Sequence, residues 1–314
     1  MAGVQAGNVR AMARLITRVE DRELGWKDAM KAVYPFTGSA RIFGITGSPG
    51  AGKSSLTSEI AESLVKRGHQ VGIIAVDPSS PFSGGALLGD RLRMKKLFTI
   101  PEVFIRSMAT RGVLGGMSQA ARDVARIMDA FGKDIILIET VGVGQDEIEV
   151  VKTADRVVMV CIPGQGDGIQ ALKAGVMEIA DIYVVNKADL PGADEVAADI
   201  SAMLGLSSET GQPSPVLKTS ALKNQGISEL VDTLLKPPLE TNQDNIRREI
   251  QVREELLSLM ENEVFRAIRS RWEESGALAR EVRKMMDENK DPYSIVADLL
   301  GQLEGSARLF KMRS

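Results

Sequence analysis

The sequence predicts an α/β fold built on a doubly wound, mostly parallel sheet, with helical segments at both ends of the chain. Three observations carry this expectation. Short apolar runs recur between Arg41 and Ser220 (RIFGITG, VGIIAVD, EVFIRS, DIILIE, RVVMVCI, DIYVVN and PVLKTS), and they show little of the alternation expected of a strand with one wet face. Amphipathic stretches of helical period, such as SSLTSEIAESLVKRG and SQAARDVARIMDAFG, lie between them. Strands that alternate with helices form parallel sheets covered by helices on both faces.

Taken in order, residues 1–40 form an N-terminal helical extension. Val9, Met12, Leu15, Ile16 and Val19 recur at helical spacing, and Pro35 with Gly38 ends the segment. Residues 41–238 hold the seven apolar runs and form the sheet domain. Such sheets bind ligands at the carboxyl ends of their strands, so the chemistry should sit just after each run. Residues 239–314 contain no strand. Over 240–275, Ile246, Ile250, Val252, Leu256, Leu257, Met260, Val264 and Ile268 are interleaved with dense charge, which predicts one long amphipathic helix. Two shorter helices follow, separated near Gly276 and at Asp291-Pro292.

Composition narrows the function. The 314 residues are 44% hydrophobic and 26% charged, enough apolar material for a large core. The net charge of -3 gives no basic field for nucleic acid. No apolar run is long enough to span a membrane, and the N-terminus lacks the apolar stretch of a secretion signal. A single cysteine, Cys161, excludes an intrachain disulfide framework. The expected address is cytoplasmic, with an organelle matrix as the alternative.

Gly47-Ser48-Pro49-Gly50-Ala51-Gly52-Lys53-Ser54, followed by Ser55, satisfies the phosphate-loop pattern G-x-x-x-x-G-K-[ST] between an expected strand and an expected helix. Its glycines let successive backbone N–H groups curl around phosphate oxygens. Lys53 supplies charge, Ser54 is the candidate Mg²⁺ ligand, and the helix N-terminus adds its dipole. The base is addressed by Asn186-Lys187-Ala188-Asp189 at the end of the run DIYVVN. An aspartate accepts from both N1–H and the 2-amino group of guanine. Adenine offers neither donor and would leave the carboxylate unpaired. Asn186 offers an amide to the base edge, and the Lys187 stem can lie over the ring. Thr219-Ser220-Ala221 supplies the supporting loop at the end of the last run. The bound molecules expected are therefore GTP, GDP and Mg²⁺.

Asp77 ends one run, and Glu139 ends another with Gly142 three residues on. Many GTPases carry Asp-x-x-Gly at the second position. Glutamate there can still hold a Mg²⁺-bound water, and the Gly142 N–H can still meet a γ-phosphate. Between them, SSPFSGGALLGDRLRMKK reads as a glycine-rich loop entering a helix, with Asp90 a further metal or water contact. The catalytic candidates are thus Lys53, Asp77, Asp90, Glu139 and Gly142, and the Mg²⁺ candidates are Ser54, Asp77, Asp90 and Glu139. No glutamine directly follows Gly142 to orient the attacking water, although Gln145 is near. The expected behaviour is slow hydrolysis that a partner accelerates.

Several stretches together, GxPGxGKS, AVDPSSPFSGGALLGDRLRM, RSMATRGVLGG, IETVGVGQDE, PGQGDGIQALKAG and NKADLPGA, resemble the MeaB/ArgK-type G proteins, GTPase chaperones of adenosylcobalamin-dependent acyl-CoA mutases. The resemblance covers residues 1–240 by motif and the C-terminal part by character. It implies a P-loop GTPase of the SIMIBI class that uses GTP and Mg²⁺ and gates cofactor delivery to the mutase, methylmalonyl-CoA mutase by default, while protecting it. It also implies a homodimer formed through a C-terminal helical arm, with an adenosyltransferase as a further partner. A segment of the family that couples mutase binding to hydrolysis corresponds to Pro163–Gly175, where Asp167, Gln170 and Lys173 match the coupling positions. Gly168 stands where the family pattern has an acid, which removes a charged contact.

Three other readings stay open at this point. A metal-inserting GTPase needs soft ligands, and only Cys161 and His69 are present, the first inside an apolar run and the second in the turn KRGHQ. A P-loop kinase needs a lid and a base that the sequence does not single out. A membrane-targeting GTPase needs a methionine-rich domain, whereas the 14 methionines here are scattered. The D-x-H-x-x-G signature of base-off cobalamin binding is absent, so the cofactor belongs on the partner.

Overall fold

A computed structural model describes residues 8–77, 94–109, 116–140, 153–164, 180–207, 214–237 and 242–311. The chain divides into two compact units, Met1–Gln251 and Val252–Ser314.

The first unit is a seven-stranded parallel sheet of order β3-β2-β4-β1-β5-β6-β7. The strands are β1 (Arg41–Gly47), β2 (Val71–Asp77), β3 (Val103–Ala109), β4 (Ile135–Thr140), β5 (Arg156–Cys161), β6 (Ile182–Val185) and β7 (Val216–Lys218). All seven apolar runs are strands. Both faces are covered, which is why the runs do not alternate. Phe43, Ile45, Ile73, Leu137, Val158 and Val160 point into one core with Leu56, Ile60 and Leu64 of α3 (Lys53–Lys66) and Leu230 and Leu234 of α6 (Ile227–Leu235). On the other face Ile74, Val76, Ile136 and Ile138 meet Met12, Ile16 and Val19 of α1 (Val9–Glu20) and Val124 and Met128 of α4 (Gly116–Ala130). Val157, Met159, Cys161, Tyr183 and Val185 pack under Ile200 and Leu204 of α5 (Ala193–Ser207). The sheet is therefore doubly wound.

The N-terminal extension differs from an uninterrupted helix. After α1 the chain turns at Arg22 (φ 52°) and Gly25 (φ 80°) before α2 (Trp26–Val33) and a short 3-10 turn at Tyr34–Phe36. The interruption lets α1 and α2 both reach the core beside α4, where Val33 is fully buried.

Aspartates tie down the amino ends of the strands. The Ile42 N–H donates to Asp155 Oδ2 at 2.7 Å, Val157 N–H to Asp181 Oδ2 at 2.7 Å and Gln70 N–H to Asp134 Oδ2 at 2.8 Å. At the same end the guanidinium groups of Arg41 and Arg156 donate to the carbonyls that close α6. Arg41 reaches Leu234 O at 2.7 Å and Leu235 O at 2.9 Å, and Arg156 reaches Thr233 O at 2.6 Å. Cations at a helix C-terminus favour its dipole and satisfy its orphan carbonyls. Burial, with Arg156 beside it, holds the Arg41 pKa below the usual arginine value. Asp155→Ala removes the acceptor of an exposed hydrogen bond at the root of the central strand, where water can replace it in part, and should cost about 0.5–1.5 kcal/mol. Asp155→Asn keeps an acceptor and should cost less. Urea unfolding midpoints of the two variants check this.

The second unit comprises the end of α7 (Asn242–Glu274), α8 (Ala277–Glu288) and α9 (Pro292–Lys311). The predicted long helix and its two breaks are all present. Ala277, Ile295 and Leu299 make a small core with Trp272 against it. Leu257, Met260, Val264 and Phe265 of α7 are exposed, as are Met286 and Tyr293. Among the described residues, no helix is long and apolar enough to cross a membrane.

Candidate functional site

The site forms where the topology reverses. From β1 the chain passes through α3 to β2 on one side of the sheet, and it later returns to place β5, β6 and β7 on the other. Ligands of doubly wound sheets sit above this switch point. The loop Gly47–Gly52 leaves the end of β1 and enters α3 at Lys53, whose first-turn N–H groups face the same space.

The Lys53 side chain is buried along its length. Its Nζ donates to Gly47 O at 2.7 Å and Ser48 O at 3.0 Å, so the loop itself fixes the ammonium. The Ser54 hydroxyl donates to Glu139 Oε1 at 2.6 Å, and both residues are buried. This contact joins residues 85 apart in sequence and follows from the pairing of β1 with β4, which sets Ile45 opposite Glu139. Pro49 and Gly50 are exposed at the loop tip, Ala51 is buried, and Ser55 is half-buried on α3.

Asn186, at 1% exposure, ties the phosphate loop to the loop after β7. Its Nδ2 donates to Ala51 O at 2.9 Å, and its Oδ1 accepts from Thr219 Oγ1 at 3.2 Å and from Ala221 N at 3.3 Å. Gly52 must be glycine for this packing. Its φ is 85°, and a Cβ there would lie 2.6 Å from Asn186 Nδ2. Lys187 Nζ donates to Gly50 O at 3.0 Å. The Ser220 hydroxyl donates to Asp189 Oδ1 at 2.7 Å. That bond, with Lys223 nearby, holds the Asp189 carboxyl below the usual carboxylate range, so it is ionised and an acceptor at neutral pH.

The structure therefore brings together Gly47 through Ser55, Glu139, Asn186, Lys187, Asp189, Ser220 and Ala221. Asp77 ends β2, opposite Ala109 of β3, at the same carboxyl end of the sheet. Asp90, Gly142, Asp167, Gln170 and Lys173 lie outside the described residues. Sequence reasoning passed over Lys223, whose Nζ lies 3.4 Å from Asp189 Oδ2. The available signal was its position two residues past Ala221 in a tight turn. A separate cavity of about 350 Å³, lined by Ala197, Ser201, Leu217 and Glu229 at the β7 edge, contains none of these residues.

Cys161 is buried in β5, and burial pushes its thiol up to about 11, leaving it protonated at neutral pH. Half-buried His69 sits in the turn after α3, before β2 begins and so at the opposite end of the sheet from the phosphate loop. Among the described residues, no cluster of three or more His, Cys, Asp and Glu could hold a metal.

The profile of the family described as methylmalonyl-CoA mutase-associated GTPase MeaB matches residues 12–273. The chain belongs to the MeaB family. A Pyrococcus abyssi protein named as a GTPase is 45% identical over 313 residues, covering 96% of this chain and 95% of that protein. The Escherichia coli GTPase ArgK is 39% identical over 236 residues, 72% of this chain and 71% of ArgK. A solved structure described as an LAO/AO transport system kinase superposes with a TM-score of 0.69 at 26% identity and covers 96% of both chains. The MeaB match fits the arrangement built above: a phosphate loop at the switch point and an ionised aspartate at the end of β6.

Proposed function

We propose that this MeaB-family protein binds and slowly hydrolyses GTP, and that it gates adenosylcobalamin delivery to a B12-dependent acyl-CoA mutase while protecting that enzyme. Methylmalonyl-CoA mutase is the default client. The observation that carries the client is the match of residues 12–273 to a family described by its association with that mutase. The site supports the nucleotide. Asn186 joins the phosphate loop to the Ser220–Ala221 loop, and Ser220 aims Asp189. Asp189 takes the guanine edge, and the Ala221 N–H lies in the loop expected to meet O6.

Mg²⁺ fits the donor set, because the Ser54 hydroxyl and the Glu139 carboxylate are hard oxygen ligands already in contact. Ser54 and Asp77 would hold it, with Glu139 and Asp90 acting directly or through water. The ion neutralises charge on the outer phosphates. Lys53 holds the phosphate chain, and Glu139 fixes the Ser54 hydroxyl. Asp167, Gln170 and Lys173 would carry the mutase signal to the site. Gly168 beside them lacks the charge that the family pattern has there. The chain is organised as an extension (1–40), a GTPase domain (41–238) and a helical arm (239–314). The exposed row Leu257, Met260 and Val264 supports a homodimer through the arm.

Steady-state hydrolysis of GTP and ATP, with and without a holo acyl-CoA mutase, tests the reading. GTP alone should turn over slowly, and the mutase should raise that rate at least about tenfold. A rate that the mutase does not change refutes the client and leaves the G protein. Equal ATP turnover refutes the base recognition.

A further inference from the structure

Guanine presents two donors, N1–H and the 2-amino group, and each requires an acceptor on Asp189. The two carboxylate oxygens are not equivalent. Oδ1 accepts from the Ser220 hydroxyl at 2.7 Å, which occupies one lone pair and leaves the other. Oδ2 faces the Lys223 ammonium at 3.4 Å. An ammonium has only donors, so it offers nothing to either donor on the guanine edge. At 3.4 Å it draws on the acceptor capacity of that oxygen.

The turn that carries Lys223 is firmly built. Ser220 and Gln225 exchange N–H···O bonds of 3.0 and 3.1 Å, Lys223 N–H donates to Ser220 O at 3.2 Å, and Asn224 adopts φ 53°. The root of Lys223 is therefore held by the same turn that aims Ser220 at Asp189 and the Ala221 N–H at Asn186. Its side chain is 57% exposed, whereas that of Asp189 is 19% exposed. The ammonium can swing into water while the carboxylate stays in place.

We propose that Lys223 competes with the guanine 2-amino group for Asp189 Oδ2, and so sets how quickly guanine nucleotides leave and how strongly they are preferred over inosine nucleotides. The inference rests on the guanine-nucleotide reading of the site. Inosine keeps N1–H but lacks the 2-amino group, so it needs one acceptor and meets less competition. The device shortens the lifetime of the bound nucleotide without a change at the phosphate loop.

The test is release of radiolabelled GDP and IDP, chased with unlabelled nucleotide at low ionic strength, from the parent protein, Lys223→Gln and Lys223→Arg. An exposed ion pair of this kind is weak, so Lys223→Gln should slow GDP release about two- to fivefold and IDP release distinctly less. The difference should shrink as salt is raised. Lys223→Arg keeps the charge and should release GDP at close to the parent rate. The proposal is overturned if Lys223→Gln releases GDP as fast as the parent or faster, which would make Lys223 neutral or a helper. It is also overturned if IDP release slows as much as GDP release, because the lysine would then act on the whole pocket. A parent protein that retains neither nucleotide, or holds ADP as well as GDP, refutes the guanine reading itself and this proposal with it.

Discussion

Lys53→Ala should reduce the affinity for GTP and GDP by at least about 100-fold, to the point where nucleotide binding is lost in a calorimetric titration. Lys53 is buried, and its ammonium is held between the carbonyls of Gly47 and Ser48. The positive charge is therefore positioned before any phosphate arrives. Alanine removes the charge from a cradle whose other donors are neutral backbone N–H groups. Lys53→Arg should also fail, because a planar fork on a longer stem cannot take the same two short bonds. Circular dichroism should show both variants folded, since Lys53 begins α3 and its neighbours Leu56 and Ile60 carry the packing. Tight GTP binding by folded Lys53→Ala would refute the phosphate-loop role.

Asp189→Asn should weaken GTP by about 10²–10³-fold and turn the preference toward xanthosine triphosphate. The amide keeps one acceptor, and the Ser220 hydroxyl can still donate to it. The other position becomes an NH₂ group that opposes the guanine donors. Xanthine carries an oxygen in place of the 2-amino group, and that oxygen accepts from the new donor. Competition between GTP and XTP on the parent and the variant measures the exchange. If the variant binds GTP as well as the parent, Asp189 does not read the base.

Much of this fold was legible in the sequence because the strands are buried on both faces. Runs such as DIILIE and RVVMVCI are apolar throughout, and little besides a central parallel strand looks like that. The phosphate loop was legible because its chemistry is local, a glycine-rich turn followed at once by Lys53 and Ser54. The long helix from Asn242 and its breaks at Gly276 and Pro292 were legible from charge pattern and punctuation. What stayed hidden depends on strand order. Nothing local says that Ser54 meets Glu139, that Arg41 and Arg156 together close α6, or that Asn186 reaches Ala51. The break after α1 was hidden for another reason. Arg22 is an ordinary residue in a left-handed conformation, and the apolar spacing continues past it into Trp26 and Met30. Lys223 was hidden because a lysine in a polar turn is usually just solvated.

The position of β1 has a consequence for biogenesis. It is the first made of the described strands, yet it lies in the middle of the sheet, with Arg41 opposite Ile135 of β4 and Phe43 opposite Arg156 of β5. At roughly 5–20 residues per second, the ribosome takes on the order of ten seconds to supply both neighbours. Until β4 is made, β2 has no partner on its central side, and until β5 is made β1 stays unpaired on its other side. The nascent chain must therefore carry an unfinished, strongly apolar strand until Cys161 has cleared the exit tunnel. Fragments that stop short of β5 leave that side of β1 unpaired, and an unpaired apolar strand edge favours aggregation.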